Sequence, residues 1–206
     1  FGLELVAALD AVVEVPTDEI ERATAILSLD RDDPAAADVL IYFAHRIPVT
    51  GADPAGRQAA FTAAAESFLR AGGGVVSFHH GSYAWPGKEA MLELVGAQAT
   101  GAVPFVPEGQ DVIAVRPDHF ACNTNVAYDG LRRHAAPAWG IADADYPWFA
   151  SAPDERYPTF VLNPTAGDVT ILFVSDYPDG GTTHLLGFTH RDPAWEGLVV
   201  GWQPGE

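Results

Sequence analysis

The chain has 206 residues, with 11 Lys and Arg against 28 Asp and Glu, a formal net charge of −17 and a single cysteine. That length suits one domain with a full apolar core, and the charge argues against partners recognised through their phosphates, so neither nucleic acid nor an anionic membrane surface is expected. Cys122 alone can form no internal disulfide or thiolate metal cluster, and the lack of a bilayer-length apolar run or a signal-peptide pattern points to a soluble, cytoplasmic protein.

Thr17, Asp18 and Glu19 predict a helix start, with acids at the positive end of the dipole and Ile20, Ala23 and Leu27 recurring on one face. The apolar run from Val39 to Phe43 predicts a strand buried on both sides, followed by His45. Asp53 and Pro54 predict the next helix, capped by Asp and carrying the stripe Phe61, Ala64, Ala65, Phe68 and Leu69 up to the glycines at 72 to 74. A second apolar strand then runs into His79-His80. A right-handed crossover makes residues 39 to 79 a βαβ unit, with both histidine ends at one carboxyl edge, the place where open α/β sheets keep their sites.

Pro86 predicts a further helix with Met91, Leu92, Leu94 and Val95, so the N–H groups of the turn from Gly81 to Trp85 are placed to hold an anion. Residues 96 to 158 read as an elaborated loop region around one strand, Asp111 to Val115. Val169 to Ser175 and His184 to His190 predict two strands joined by the turn from Asp176 to Gly181, with a last strand from Leu198 to Trp202. The expected architecture is an α/β layered domain with a mainly parallel central sheet and an antiparallel C-terminal extension.

Histidine dominates the candidate chemistry. Successive strand side chains alternate in direction, so one of His79 and His80 is expected to reach a site while the other packs. Thr189-His190-Arg191 ends a strand and is a second candidate, whereas His184 beside a turn reads as solvated. Asp143-Ala-Asp145-Tyr146 offers carboxylates and a phenol that can bind a sugar, relay a proton or hold a divalent metal; the same residues also fit plain turn chemistry. Asp154-Glu155-Arg156 reads as a solvated charged turn, and His119 as either a ligand or a loop cap. Ser82 is a weak nucleophile candidate because no Gly-x-Ser-x-Gly spacing surrounds it. Cys122 sits in a polar loop away from any strand-to-helix turn. The glycines at 72 to 74 follow a helix and precede a strand, the reverse of a phosphate-binding loop, so no nucleotide cofactor is expected.

In order, the strand around Tyr42, the run Arg70-Ala-Gly-Gly-Gly-Val-Val-Ser-Phe-His-His-Gly81, Asp143-Ala-Asp-Tyr146, Phe188-Thr-His-Arg191 and Trp202-Gln-Pro-Gly205 resemble the ThuA-like, or trehalose-utilisation, family. The resemblance implies a flavodoxin-like, three-layer fold of the class I glutamine amidotransferase-like superfamily, as one domain over residues 1–206. The amidotransferase cysteine is absent, with His79-His80-Gly81 at the elbow, which argues against glutamine hydrolysis. The family's Asp-Glu-x-Tyr element reads Asp143-Ala-Asp-Tyr146, and its closing Pro-Gly-His reads Pro204-Gly-Glu206. The opening Phe1-Gly-Leu-Glu-Leu-Val corresponds to a helix after the family's first strand, and the chain stops where a last helix is expected.

The resemblance further implies a carbohydrate-metabolism enzyme, a metal-assisted hydrolase or lyase for a disaccharide or a 3-keto-glycoside such as a trehalose derivative. In that reading His79 or His80 and His190 bind a divalent metal, zinc or manganese, or move protons. Asp143 or Asp145 supplies a carboxylate, and Tyr146, Trp85, Ser82, Arg191 and His45 contact the sugar. The alternative is a non-catalytic sugar or metabolite binding protein of the same fold, and either is compatible with a homo-oligomer.

Overall fold

The structure, a computed structural model, describes residues 12–14, 20–45, 53–100, 105–163, 167–176 and 182–205. The expected helix start at Thr17 to Glu19, the opening Phe1 to Val6, most of the turn after Asp176, and Glu206 lie outside the described residues. Strand β1 (Val12–Glu14) precedes α1 (Ile20–Leu27), β2 (Val39–Tyr42), α2 (Pro54–Arg70), β3 (Gly74–Phe78) and α3 (Glu89–Val95). Then come β4 (Ala97–Gln98), β5 (Phe105–Val106), β6 (Asp111–Ala114), α4 (Phe120–Asn123), β7 (Gly130–Ala136) and β8 (Ile141–Ala150). The chain continues through β9 (Asp154–Glu155), β10 (Val161–Leu162), β11 (Asp168–Ser175), β12 (His184–Arg191) and β13 (Leu198–Trp202). Among the described residues no helix is long and apolar enough to cross a membrane.

Local signals act as read in the first third. Ile20, Ala23 and Leu27 are the buried positions of α1. The Asp53 carboxylate accepts from the Gly56 N–H at 3.1 Å, Pro54 opens α2, and the five-residue stripe of that helix is buried. Gly73 then closes it, donating to the Phe68 carbonyl. Strands β2 and β3 pair in parallel from Val39 opposite Gly74 to Tyr42 opposite Ser77, the expected βαβ unit.

The main sheet has nine strands in the order β1-β2-β3-β13-β12-β11-β6-β8-β7. The pairs β1/β2, β2/β3 and β3/β13 are parallel and the remaining five antiparallel. The fold is thus α/β, but its sheet is mixed and mostly antiparallel, which corrects the expectation of a mainly parallel sheet. The reason lies in residues 96 to 158, expected as a loop region around the one strand Asp111 to Val115. Besides that strand, β6, they contribute the long hairpin of β7 and β8, whose short connection through Pro137–Trp139 allows only antiparallel pairing. Strand β7 is an edge, and its exposed Leu131 and Arg133 mask it as a surface segment.

Helices α1 to α3 share one apolar cluster with Leu40, Tyr42, Val75, Leu185, Phe188 and Val199. Leu186, next to Leu185 and so on the opposite face of β12, joins Val112, Ala114, Leu172 and Cys122 in a second cluster. Burial pushes the Cys122 thiol up to about 12, which fits a packed rather than nucleophilic cysteine. The end of the β7–β8 hairpin packs Ala136 and Ile141 against Ile113, Val115 and Val174. His134 ties it to the end of β11 through Nδ1 and the Asp176 carboxylate, 3.1 Å apart.

Candidate functional site

Parallel pairing brings the chain after β2 and the chain after β3 to one edge. A 3₁₀ turn, His79–Ser82, follows β3 directly, and Gly81 lets it pass β2, since a Cβ there would stand 2.3 Å from the Tyr42 carbonyl oxygen. His79 takes φ +46°, a left-handed conformation that costs an L-residue about 1–2 kcal/mol. Such strain collects where side-chain direction matters more than backbone comfort. Because the backbone leaves the extended state here, the two imidazoles no longer alternate between faces. Their ring centroids lie 4.2 Å apart, and His45 stacks on His80 at 4.7 Å.

Each imidazole is fixed by a defined partner. His79 is buried, and its Nδ1 lies 2.7 Å from the Gln203 carbonyl oxygen. A carbonyl only accepts, so Nδ1 carries a proton, and in the neutral ring it is Nε2 that keeps the lone pair. Among the described residues that Nε2 has no hydrogen-bond partner, and Glu155 Oε2 stands 3.6 Å from it. Lone pair and carboxylate face each other favourably only with a cation between them, either a proton or a metal ion. His80 Nδ1 meets the Tyr157 hydroxyl at 2.7 Å. Burial, then the neighbouring charges of His79, His45 and Lys88, hold the His80 imidazole down to about 4.

Behind the histidines Lys88 is fully buried, its Nζ donating to the carbonyls of Ala44 (2.7 Å), His80 (2.8 Å) and His45 (3.3 Å). Burial pushes this ammonium down to about 7, while three acceptors match the three N–H bonds of the charged form. The lysine thereby ties the ends of β2 and β3 together. Trp85 and Tyr83 meet His45 edge-on, and Phe43 lies against the rings of His79 and His80. Phe43 and Trp85 stay over a third exposed, which gives the cluster an open aromatic rim.

Of the residues singled out in the sequence, His45, His79, His80 and Trp85 are brought together, with Ser82 nearby but buried and bonded to Ser77 at 2.9 Å. The others stand elsewhere. His190 is opposite Val199, which is opposite Val75, four residues before His79 and so roughly 13 Å back along the strand. Strand β12 runs antiparallel to β13, so its carboxyl end, with His190 and Arg191, reaches the edge opposite His79. The His190 nitrogens are also engaged there, Nδ1 with the Leu94 carbonyl and Nε2 with the Gly167 N–H. Asp143, Asp145 and Tyr146 lie on β8, five strand positions from β3, roughly 24 Å at ordinary strand spacing. Asp143 and Asp145 instead pair with Arg133 on the surface, and Tyr146 donates to the Ala142 carbonyl. The turn from Gly81 to Trp85 does not open a helix, since α3 begins only at Glu89, and two of its N–H groups, those of Tyr83 and Ala84, donate internally to the His80 and Ala99 carbonyls. His119 is a cap, accepting from the Ala121 N–H, and His184 is half-buried rather than solvated.

Glu155, Tyr157 and Lys88 were not found from sequence. Asp154 and Arg156 are buried, so the expected solvated turn is an interior segment. A signal was present, because Asp154-Glu155-Arg156-Tyr157 fills the Asp-Glu-x-Tyr pattern in full where Asp143-Ala-Asp-Tyr146 fills it in part. His79, His80 and Glu155 each offer one ligand atom, all within 4.8 Å of one another. With the orphaned Nε2 of His79, this donor set of two imidazoles and a carboxylate could hold a divalent ion, zinc by its imidazoles or manganese with further oxygen ligands.

No family model and no curated protein matches the chain. Among solved structures it is similar to a protein from Bacteroides uniformis described as ThuA-like, at 14% identity and a TM-score of 0.49, covering 100% of this chain and 86% of that one. It is also similar to a cytoplasmic protein from Salmonella typhimurium, at 14% identity and a TM-score of 0.46, covering 88% of this chain and 67% of that one. Likeness at this identity concerns the fold alone.

Proposed function

We propose that the chain is a carbohydrate-metabolism enzyme, a hydrolase or lyase that opens the glycosidic bond of a disaccharide or 3-keto-glycoside such as a trehalose derivative. The observation that carries this reading is the unpartnered Nε2 of His79 facing Glu155 at 3.6 Å beneath an open aromatic rim. His79, His80 and Glu155 would hold a divalent ion, which supplies a Lewis acid for the keto oxygen. The remaining work is proton transfer. The carbon-bound proton beside the keto group passes to a base of the cluster. The bond to the glycosidic oxygen then breaks, that oxygen takes a proton from a site acid, and water adds across the resulting double bond. Trp85 and Phe43 present ring faces to the sugar. A binding protein without turnover is the second reading, favoured by one observation: Asp143 and Asp145, the carboxylates expected to complete an acid–base set, lie on another part of the sheet.

Protein purified without chelators or metal-affinity resin is expected to carry near-stoichiometric zinc or manganese, lost in His79→Ala and Glu155→Gln. Release of free sugar from 3-keto-trehalose should drop at least ~10²-fold in both, and Asp143→Asn should match the parent. Saturable sugar binding with no product would select the binding protein, and unchanged turnover in His79→Ala would sink both assignments of the site.

A further inference from the structure

The carboxylate of the cluster is not positioned by the main sheet. Glu155 lies on β9, a two-residue strand paired with β5 outside the nine-stranded order. The residues just after β13 hold it beside His79. Gln203 is 1% exposed and anchored by its N–H on the Leu186 carbonyl at 2.8 Å. Its own carbonyl accepts from His79 Nδ1, and its side-chain Nε2 donates to the Glu155 carbonyl at 3.0 Å. Two residues on, the Gly205 N–H donates to Asp154 Oδ2 at 2.6 Å, while Asp154 Oδ1 accepts the Glu155 N–H at 2.7 Å. Both peptide groups of Glu155 are thus fixed, one through Gln203 and the other through an aspartate that Gly205 holds. Gly205 must be glycine for this path, since a Cβ would stand 2.6 Å from His79 Cβ.

We propose that Gln203 is the positioning residue of the site: one residue fixes the tautomer of His79 with its main chain and the placement of Glu155 with its side chain. The inference rests on the reading of His79, His80 and Glu155 as a cation site, and extends it to what holds that site in register. Groups that orient ligands without touching the ion typically cost 10–100-fold in affinity when removed. Gln203→Met keeps the length of the side chain and removes the donor.

The test compares the full chain, Gln203→Met, Glu155→Gln and the double variant by two measurements. These are hydrogen–deuterium exchange of residues 154–157 and cobalt(II) titration followed by visible absorption. Gln203→Met should speed exchange in 154–157 about tenfold and weaken cobalt ~10–100-fold, with no further weakening when Glu155 is already Gln. Unchanged exchange there overturns the proposal, and so does an additive double variant, which would mean that Gln203 acts on the fold at large. Should the parent bind no cobalt while Gln203→Met still loosens 154–157, the positioning role stands and the metal reading falls. If Gln203→Met does not fold, Asp154→Asn, which weakens the hold on Glu155 from its other side, is expected to give the same local loosening. Unchanged exchange in that variant overturns the proposal equally.

Discussion

Asp143-Ala-Asp-Tyr146 and Asp154-Glu-Arg-Tyr157 each set carboxylates ahead of a tyrosine at the fourth position, and the fold sends them to opposite surroundings. In the first, the two aspartates are about as exposed as the arginine they pair with, at 63% and 61% of their side chains. In the second, Asp154 is 4% and Tyr157 2% exposed, with the tyrosine on His80 and the glutamate between them facing His79. A run of polar residues therefore carries no address of its own. The first lies along a long strand with its carboxylates in solvent, and the second is drawn inward because the N–H groups of Glu155 and Gly205 need an acceptor away from water.

The cations that serve the two regions should separate most widely. Lys88→Met would leave three buried carbonyls without their donor and is expected to lose ~3–5 kcal/mol of stability by urea denaturation. Arg133→Ala, at an exposed pair, should give no measurable change. Equal effects would remove the distinction between an interior network and a surface one.

The aspartates themselves sharpen the contrast at the next level. Asp154→Ala deprives the Gly205 and Glu155 N–H groups of an acceptor and should lower stability by ~2–3 kcal/mol. Asp143→Ala should unfold with the parent in the same urea series.

The smallest expected effect is on the pH profile, because solvent around the half-buried His80 screens its shift. The folded chain holds His80 down to about 4, against 6.5 for a free imidazole. Between those values the unfolded chain binds the proton more readily, so stability should climb as pH rises from about 4 to 6.5 and level off above. Subtracting the profile of His80→Gln should isolate that climb, and two parallel profiles would mean that His80 titrates normally in the folded protein.

The first βαβ unit was legible because its signals are local: a cap at Asp53, a stripe on α2, an apolar run into a histidine on each side. Adjacent parallel strands then force His45 and His80 to one edge. Two things were not legible. The β7–β8 hairpin hides behind exposed charges and a proline at 147 within its strand, and it changes the balance of the sheet. The direction of β12 was the other. An imidazole at a strand's carboxyl end reaches the His79 edge only if that strand runs parallel to β3, and the antiparallel β12 carries His190 to the far one.

By itself the sequence determined the elements whose cause lies within a few residues of them, and with those the histidine-bearing edge. Only the tertiary structure decided which carboxylate faces His79, which nitrogen of that imidazole keeps its lone pair, and which lysine ties the strand ends. Those depend on hydrogen bonds between residues far apart in the chain, 44 positions for Lys88 with Ala44 and 124 for His79 with Gln203. No local propensity encodes them, because each partner is chosen by the need to satisfy a buried polar group after the chain has closed around it.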